Sequence, residues 1–150
     1  MGRFQHNPVE ATALFGLATV VLGLIIVLIL PTSAELTNGF RTPIIAFEFA
    51  QSAEDLAFLA DDNEIQDKFD RAHRWDMVFP IAYGLFLALL LMQSARSNSK
   101  LLILFVPLAL LAIPFDIWEN RILIEITGLL RNDNSAVHLL NRLQTATWLK

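Results

Sequence analysis

Residues 11–30 read ATALFGLATVVLGLIIVLIL, an apolar run without a single charged side chain. At a rise of about 1.5 Å per residue, a helix of this length matches the roughly 30 Å hydrocarbon thickness of a bilayer. A secretory signal peptide is the alternative interpretation, with Arg3 as its charged region and 32–34 as a small-residue cleavage site. The apolar region is long for a signal peptide, so the run predicts a membrane crossing.

The composition of the whole chain agrees with a membrane environment. Its 150 residues are 55% hydrophobic and only 17% charged, which is too apolar for an ordinary soluble domain of this size. The formal charge of -4 and the dispersed basic residues argue against a nucleic-acid partner. Because cysteine is absent, disulfides, thiolate metal sites and cysteine nucleophiles are excluded.

The apolar segments predict an all-α integral membrane four-helix bundle, formed as a single membrane domain over residues 1–150. We expect its crossings at about 11–30, 76–93, 101–120 and 135–150. Membrane helices tolerate proline and glycine better than soluble helices, so Pro80 and Gly84 are compatible with the second crossing, with a kink near Pro80. The last segment is the most amphipathic of the four.

An additional amphipathic helix is predicted over about 43–60, between the first two crossings. Thr42 followed by Pro43 is typical of a helix start. Apolar residues then recur at helical spacing, namely Ile45, Phe49, Ala53, Leu56 and Ala60. We expect this helix to lie on the membrane or on the bundle. A further helix is predicted from about Glu64, running directly into the second crossing.

Four crossings place both termini and the polar turn at 94–100 on the same side of the membrane. That side carries Arg3, Arg96, Lys100 and Lys150 against Glu10, a net charge of +3, which leaves -7 for the other side. A count of Lys and Arg alone gives four against seven, which points the opposite way under the positive-inside rule. We favour cytoplasmic termini because the short turn is purely basic and a long acidic segment translocates readily.

Polar residues gather where the crossings begin and end, and the alternation of direction places them at one membrane face. The candidate ligand site comprises Asp76, Asp116, Glu119, Asn120, His138 and Arg142. Three of them, at 116, 119 and 120, are spaced i, i+3, i+4, which puts their side chains on one stripe of one helix. The candidate supporting residues are Glu48, His73, Arg74 and Arg121.

Ionisable groups at membrane depth are costly, so they either pair with one another or serve a function. Pairing of the carboxylates with Arg74, Arg121 and Arg142 is the structural interpretation, and a bound ligand or catalysis are the functional ones. A haem held by His73 and His138 is disfavoured because both lie at helix ends, and no recognised metal-ligand spacing occurs. We therefore expect no metal and no cofactor.

Four short motifs together resemble an uncharacterised group of small bacterial four-helix integral membrane proteins. They are TPIIAFEFA at 42–50, DMVFPIAY at 76–83, DIWEN at 116–120 and TATW at 145–148. The likeness extends over about two thirds of the chain. It implies the same four-helix architecture and a bacterial inner membrane, but it supplies no catalytic residues.

The primary functional hypothesis is a non-catalytic binding or accessory component of the bilayer, acting alone or in a homo- or hetero-oligomer. Its ligand could be a lipid or a small apolar molecule. The alternative is an integral-membrane enzyme acting on a lipid or isoprenoid-like substrate, with Asp76 and Glu119 as acid and base. An ion or proton pathway is less favoured, because no ionisable residue lies near the middle of the first three apolar runs.

Overall fold

The computed structural model describes residues 7–32, 36, 39–97, 100–132 and 135–149. Across these ranges the protein is helical and contains no strand. The helices are α1 (Pro8–Ile29), α2 (Pro43–Glu48), α3 (Ala57–Ala60), α4 (Asn63–Asp76), α5 (Phe79–Ser97), α6 (Val106–Arg131) and α7 (Val137–Leu149). Two 3-10 segments, Glu54–Leu56 and Lys100–Phe105, precede α3 and α6.

Three helical segments are long and apolar enough to cross a membrane: Pro8–Ile29, Asn63–Arg96 and Lys100–Arg131. They cover the first three predicted crossings. Their apolar side chains are exposed on several faces, which suits contact with lipid and would be unfavourable in water.

The predicted fourth crossing corresponds to α7, which is not among these three segments. With 13 residues, α7 is about 20 Å long, whereas the hydrocarbon core is about 30 Å thick. It packs instead along the second half of α6 through Leu139, Leu140, Leu143 and Ala146. Of the four predicted crossings, the first three correspond to segments that are long and apolar enough to span a membrane, and the fourth corresponds to a shorter helix that docks on α6.

The amphipathic helix expected at 43–60 is broken into α2, a 3-10 turn and α3. The break is stabilised by the Asp55 carboxylate, which accepts hydrogen bonds from the backbone N–H groups of Gln51 at 2.9 Å and Ser52 at 3.0 Å. The Gln51 hydrogen bond is the main reason that the pKa of Asp55 lies below its usual value. Because the helix is interrupted, the expected apolar stripe does not form, and Ile45 is exposed while Ala46 and Phe47 are buried.

The helix is interrupted between α4 and α5 at Met77 and Val78, which lie three and two residues before Pro80. Proline has no N–H, so it cannot donate to the carbonyl of the residue four positions earlier, which is Asp76. The chain nevertheless continues as one long helical segment from Asn63 to Arg96. This is the position where the sequence predicted a kink.

The buried core lies at one end of the long helices, in an assembly that we call the helical cap. The cap consists of α2, α3, α4, α7 and the half of α6 that follows Asp116. Its core contains Phe47, Ala50, Leu56, Leu59, Phe69, Ile122, Leu123, Ile126, Ala136, Leu139, Leu140, Leu143 and Ala146. Helices α1 and α5 contribute no residue to this cluster.

Close approaches define the register of the long helices. Gly16 faces the Phe86 ring and Gly23 faces the Phe79 ring, so α1 and α5 run antiparallel. At Gly84 an added Cβ would lie 2.5 Å from Ile113 Cγ1, and the absence of a side chain there allows α5 and α6 to approach closely. This register places Tyr83 of α5 level with Thr19, near the middle of α1.

Candidate functional site

The polar stripe of α6 is buried where the helix enters the cap. Asp116 is 9% exposed, Glu119 is 1% exposed and Asn120 is 2% exposed. The three residues follow the i, i+3, i+4 spacing on the inward face of one continuous helix. Each of them has a hydrogen bond to a different neighbouring segment, and these bonds define the site.

The first bond joins α6 to α5. The Tyr83 hydroxyl donates to Asp116 Oδ2. The same hydroxyl lies within electrostatic range of the carboxylates of Asp76 and Glu119. The Tyr83 hydroxyl is therefore bonded to one carboxylate of α6 and interacts electrostatically with two others, one from α4 and one from α6.

The second bond joins α6 to the interruption before α5. Asn120 Nδ2 donates to the backbone carbonyl of Asp76 at 3.2 Å. This is the carbonyl to which Pro80 cannot donate a hydrogen bond. The Asn120 amide therefore supplies a donor to the backbone carbonyl at the position of the proline, as buried polar groups in a membrane require.

The third bond joins α6 to α7. Thr147 Oγ1 lies 2.5 Å from Glu119 Oε1, 3.0 Å from the Leu143 carbonyl and 3.3 Å from the Glu48 carbonyl. A hydroxyl carries one proton, and the shortest of the three distances identifies the Glu119 carboxylate as its acceptor. Glu48, which is half-buried, therefore borders the site with its backbone carbonyl at the end of α2.

His73 lies one helical turn before Asp76, on the cap side of these bonds. Its ring is stacked on Phe69 with the centroids 5.7 Å apart, and it meets the Phe47 ring edge-on at 5.8 Å. The side chain is buried. It connects the polar stripe to the aromatic core of the cap.

Four of the predicted site residues lie outside this cluster. His138 and Arg142 are on the exposed face of α7, because the core requires Leu139, Leu140 and Leu143 to point inward. Arg74 and Arg121 are also exposed. The structure therefore does not bring the predicted basic residues of α7 to the carboxylates.

No family model, curated protein or solved structure matches this chain. Among the described residues, no group of three or more His, Asp or Glu side chains is arranged to hold a metal ion. The cluster consists of acceptor oxygens that accept hydrogen bonds from hydroxyl and amide donors of neighbouring helices.

The sequence analysis did not include Tyr83 or Thr147 in the site, although each carries a signal. Tyr83 follows Asp76 by seven residues, and this spacing of about two helical turns places both residues on the same face of a helix. Thr147 lies on the stripe of Leu140 and Leu143, where it carries a hydroxyl among apolar side chains. A hydroxyl on an otherwise apolar stripe is the signal that could have identified both residues.

Proposed function

We propose that this protein is a multi-pass membrane protein that acts without catalysis, as a binding or accessory component. In this proposal α1, α5 and the first half of α6 cross the bilayer, and the helical cap is carried on one side. The polar cluster joins the cap to the crossings. The resemblance of its motifs to those of small bacterial membrane proteins supports placement in a bacterial inner membrane.

One observation carries the structural role of the cluster. Three donors from three different segments, Tyr83 of α5, Asn120 of α6 and Thr147 of α7, each hydrogen-bond across a helix boundary. Cross-helix hydrogen bonds are a principal means of holding helices together in lipid, where the hydrophobic effect between helices is absent. Because each donor connects two helical elements, the arrangement favours a structural role for the cluster, in which it holds the helices together, over a catalytic role.

The same geometry changes the expected depth of the cluster. The register places the Tyr83–Asp116 hydrogen bond level with Thr19 of α1. With α1 spanning the bilayer, this bond lies near mid-depth, deeper than the membrane face at which the sequence analysis had placed the cluster. A carboxylate at that depth is stable only if it is enclosed and hydrogen-bonded, and the surroundings of Asp116 provide both.

Replacement of Asp116 by alanine tests the junction. We expect Asp116→Ala to lower the free energy of unfolding in detergent by about 1.5–3 kcal/mol, the usual value of a hydrogen bond to a charged group. The matched control is Asp61→Ala, because Asp61 is exposed at the end of α3. An unchanged or raised melting temperature for Asp116→Ala would contradict a structural role, since residues kept for a ligand often reduce stability.

The proposed topology differs from the one expected from the sequence, because we propose that α7 docks on α6 and does not cross. Reporters inserted near Asn63 and fused after Lys150 should be found on one side, and a reporter in the turn before Lys100 on the other. We assign that turn to the cytoplasm and the acidic cap to the periplasm. The protein should also resist carbonate and require detergent for extraction. Opposite locations for Asn63 and Lys150 would restore a fourth crossing.

A second candidate is an enzyme acting on a lipid or isoprenoid-like substrate. It is favoured by the grouping of Asp76, Asp116 and Glu119 around the Tyr83 hydroxyl, because neighbouring carboxylates with different surroundings suit general acid and base catalysis. The substitution of Asp116 separates the two candidates. Loss of a lipid-modifying activity with full stability would favour the enzyme.

A further inference from the structure

The end of the long helices opposite the cap contains an apolar groove bordered by two basic residues. The groove has a volume of about 520 Å³ and is lined by Met92, Ala95, Arg96, Lys100 and Ile103. Met92, Ala95 and Arg96 belong to the last turns of α5, while Lys100 and Ile103 belong to the 3-10 segment before α6. From these residues we propose that the groove binds an anionic phospholipid, with the phosphate at the basic pair and an acyl chain along the apolar lining.

The depth of the groove suits a phospholipid headgroup. Gln93, one turn before Arg96, donates from Nε2 to the Pro8 carbonyl at 2.7 Å and also to the Thr12 hydroxyl. The groove is therefore level with the beginning of α1, where the apolar run starts. With α1 crossing as proposed above, the basic pair lies at headgroup level while Met92 and Ile103 border the hydrocarbon.

The charges of the groove are complementary to a phosphate. Arg96 and Lys100 are both exposed, and neither has an ion-pair partner among the residues that the structure describes. Basic pockets between crossing helices are a recurrent form of anionic-headgroup site. A guanidinium and an ammonium that both border one groove can contact the same phosphate from two directions.

The opposite end of the bundle carries a second basic surface, which is less favourable for an anionic headgroup. A cavity of about 360 Å³ there is lined by Asp67, Asp70, Arg71, Arg74 and Arg131. Arg131 pairs with Asp67 at 2.6 Å and with Asp70 at 3.1 Å, so two carboxylates stand beside the arginines. These carboxylates would repel an anionic headgroup, whereas the described residues that line the groove at Arg96 and Lys100 include no acidic side chain.

The test measures lipid binding by the full chain, purified in detergent and titrated with phosphatidylglycerol or phosphatidylcholine in mixed micelles. We expect phosphatidylglycerol to raise the melting temperature and phosphatidylcholine to leave it unchanged, because a ligand that binds the folded state stabilises it. The double variant R96Q/K100Q should bind phosphatidylglycerol about 30-fold more weakly, at about 1 kcal/mol for each basic residue near the membrane surface.

The matched control is R71Q/R74Q, which removes two exposed arginines at the other end and should retain phosphatidylglycerol binding. Equal responses to the two lipids, or undiminished binding by R96Q/K100Q, would overturn the proposal. Soluble glycerol phosphate provides a further arm, because a full response to it would indicate a free phosphate ligand and exclude the lipid. Carbonate extraction of the same variants reports separately on the three-crossing topology, on which this inference rests.

Discussion

Replacement of Phe47 by alanine should destabilise the helical cap by about 3–5 kcal/mol, the usual cost of truncating a buried aromatic side chain. Phe47 is 0% exposed, and its ring centroid lies 5.3 Å from that of Phe69 in an edge-to-face contact. Through this ring, the short helix α2 contacts both Phe69 and His73 of α4. The cap packs through a water-excluding core, so the loss includes both the transfer free energy and the cavity left behind.

The measurement is thermal or denaturant unfolding in detergent, followed by the exposure of Trp75 and Trp118 to a soluble quencher. Phe40→Ala is the matched control, because Phe40 is 38% exposed, does not belong to the buried core cluster, and has its ring centroid 5.8 Å from that of Phe49. The control should change the unfolding free energy by less than about 1 kcal/mol. Equal effects of the two substitutions would mean that α2 is not held by its buried phenylalanine.

The second large effect is expected for Thr147→Val, which preserves the shape of the side chain and removes its hydroxyl. Glu119 Oε1 then loses the donor at 2.5 Å, in a site where the carboxylate is buried. We expect a loss of about 1.5–3 kcal/mol, because hydrogen bonds to charged groups are stronger than neutral ones and a buried acceptor left without its donor is costly. The expected structural consequence is release of α7 from α6.

Thr145→Val provides a control on the same helix. The Thr145 hydroxyl donates to the Asn141 carbonyl at 2.8 Å within α7, and the residue is exposed. It should change the unfolding free energy by no more than about 0.5 kcal/mol. Limited proteolysis distinguishes the variants, since only Thr147→Val should make α7 accessible. Equal protection of both variants would contradict the role of the Thr147 hydroxyl as the bond between α6 and α7.

The long apolar helices could be predicted from the sequence because their signals are local. The run at 11–30 differs from α1, Pro8–Ile29, by a few residues, since Asn7 caps the helix and accepts a hydrogen bond from the Val9 N–H. The break before α5 was also predictable, because it follows from the chemistry of Pro80 alone. Neither prediction needed information about which helices become neighbours.

The remaining features depend on contacts between distant segments. Periodicity identifies the two faces of α7, but the rotation of the helix is set by the leucines that fill the core, and this rotation turns His138 and Arg142 outward. The break after α2 depends on a turn closed by the Asp55 carboxylate, which competes with the helix for the same backbone N–H groups. Amphipathic spacing over 43–60 could not show which of the two conformations is favoured.

The late position of Thr147 in the chain affects biosynthesis. Glu119 precedes its hydroxyl donor by 28 residues, and the Glu48 carbonyl precedes it by 99. At about 5–20 residues per second, Thr147 is translated roughly 1–6 seconds after Glu119. The hydrogen bond between α6 and α7 therefore cannot form while α6 is being synthesised. Docking of α7 follows the synthesis of all the helices that precede it in the chain.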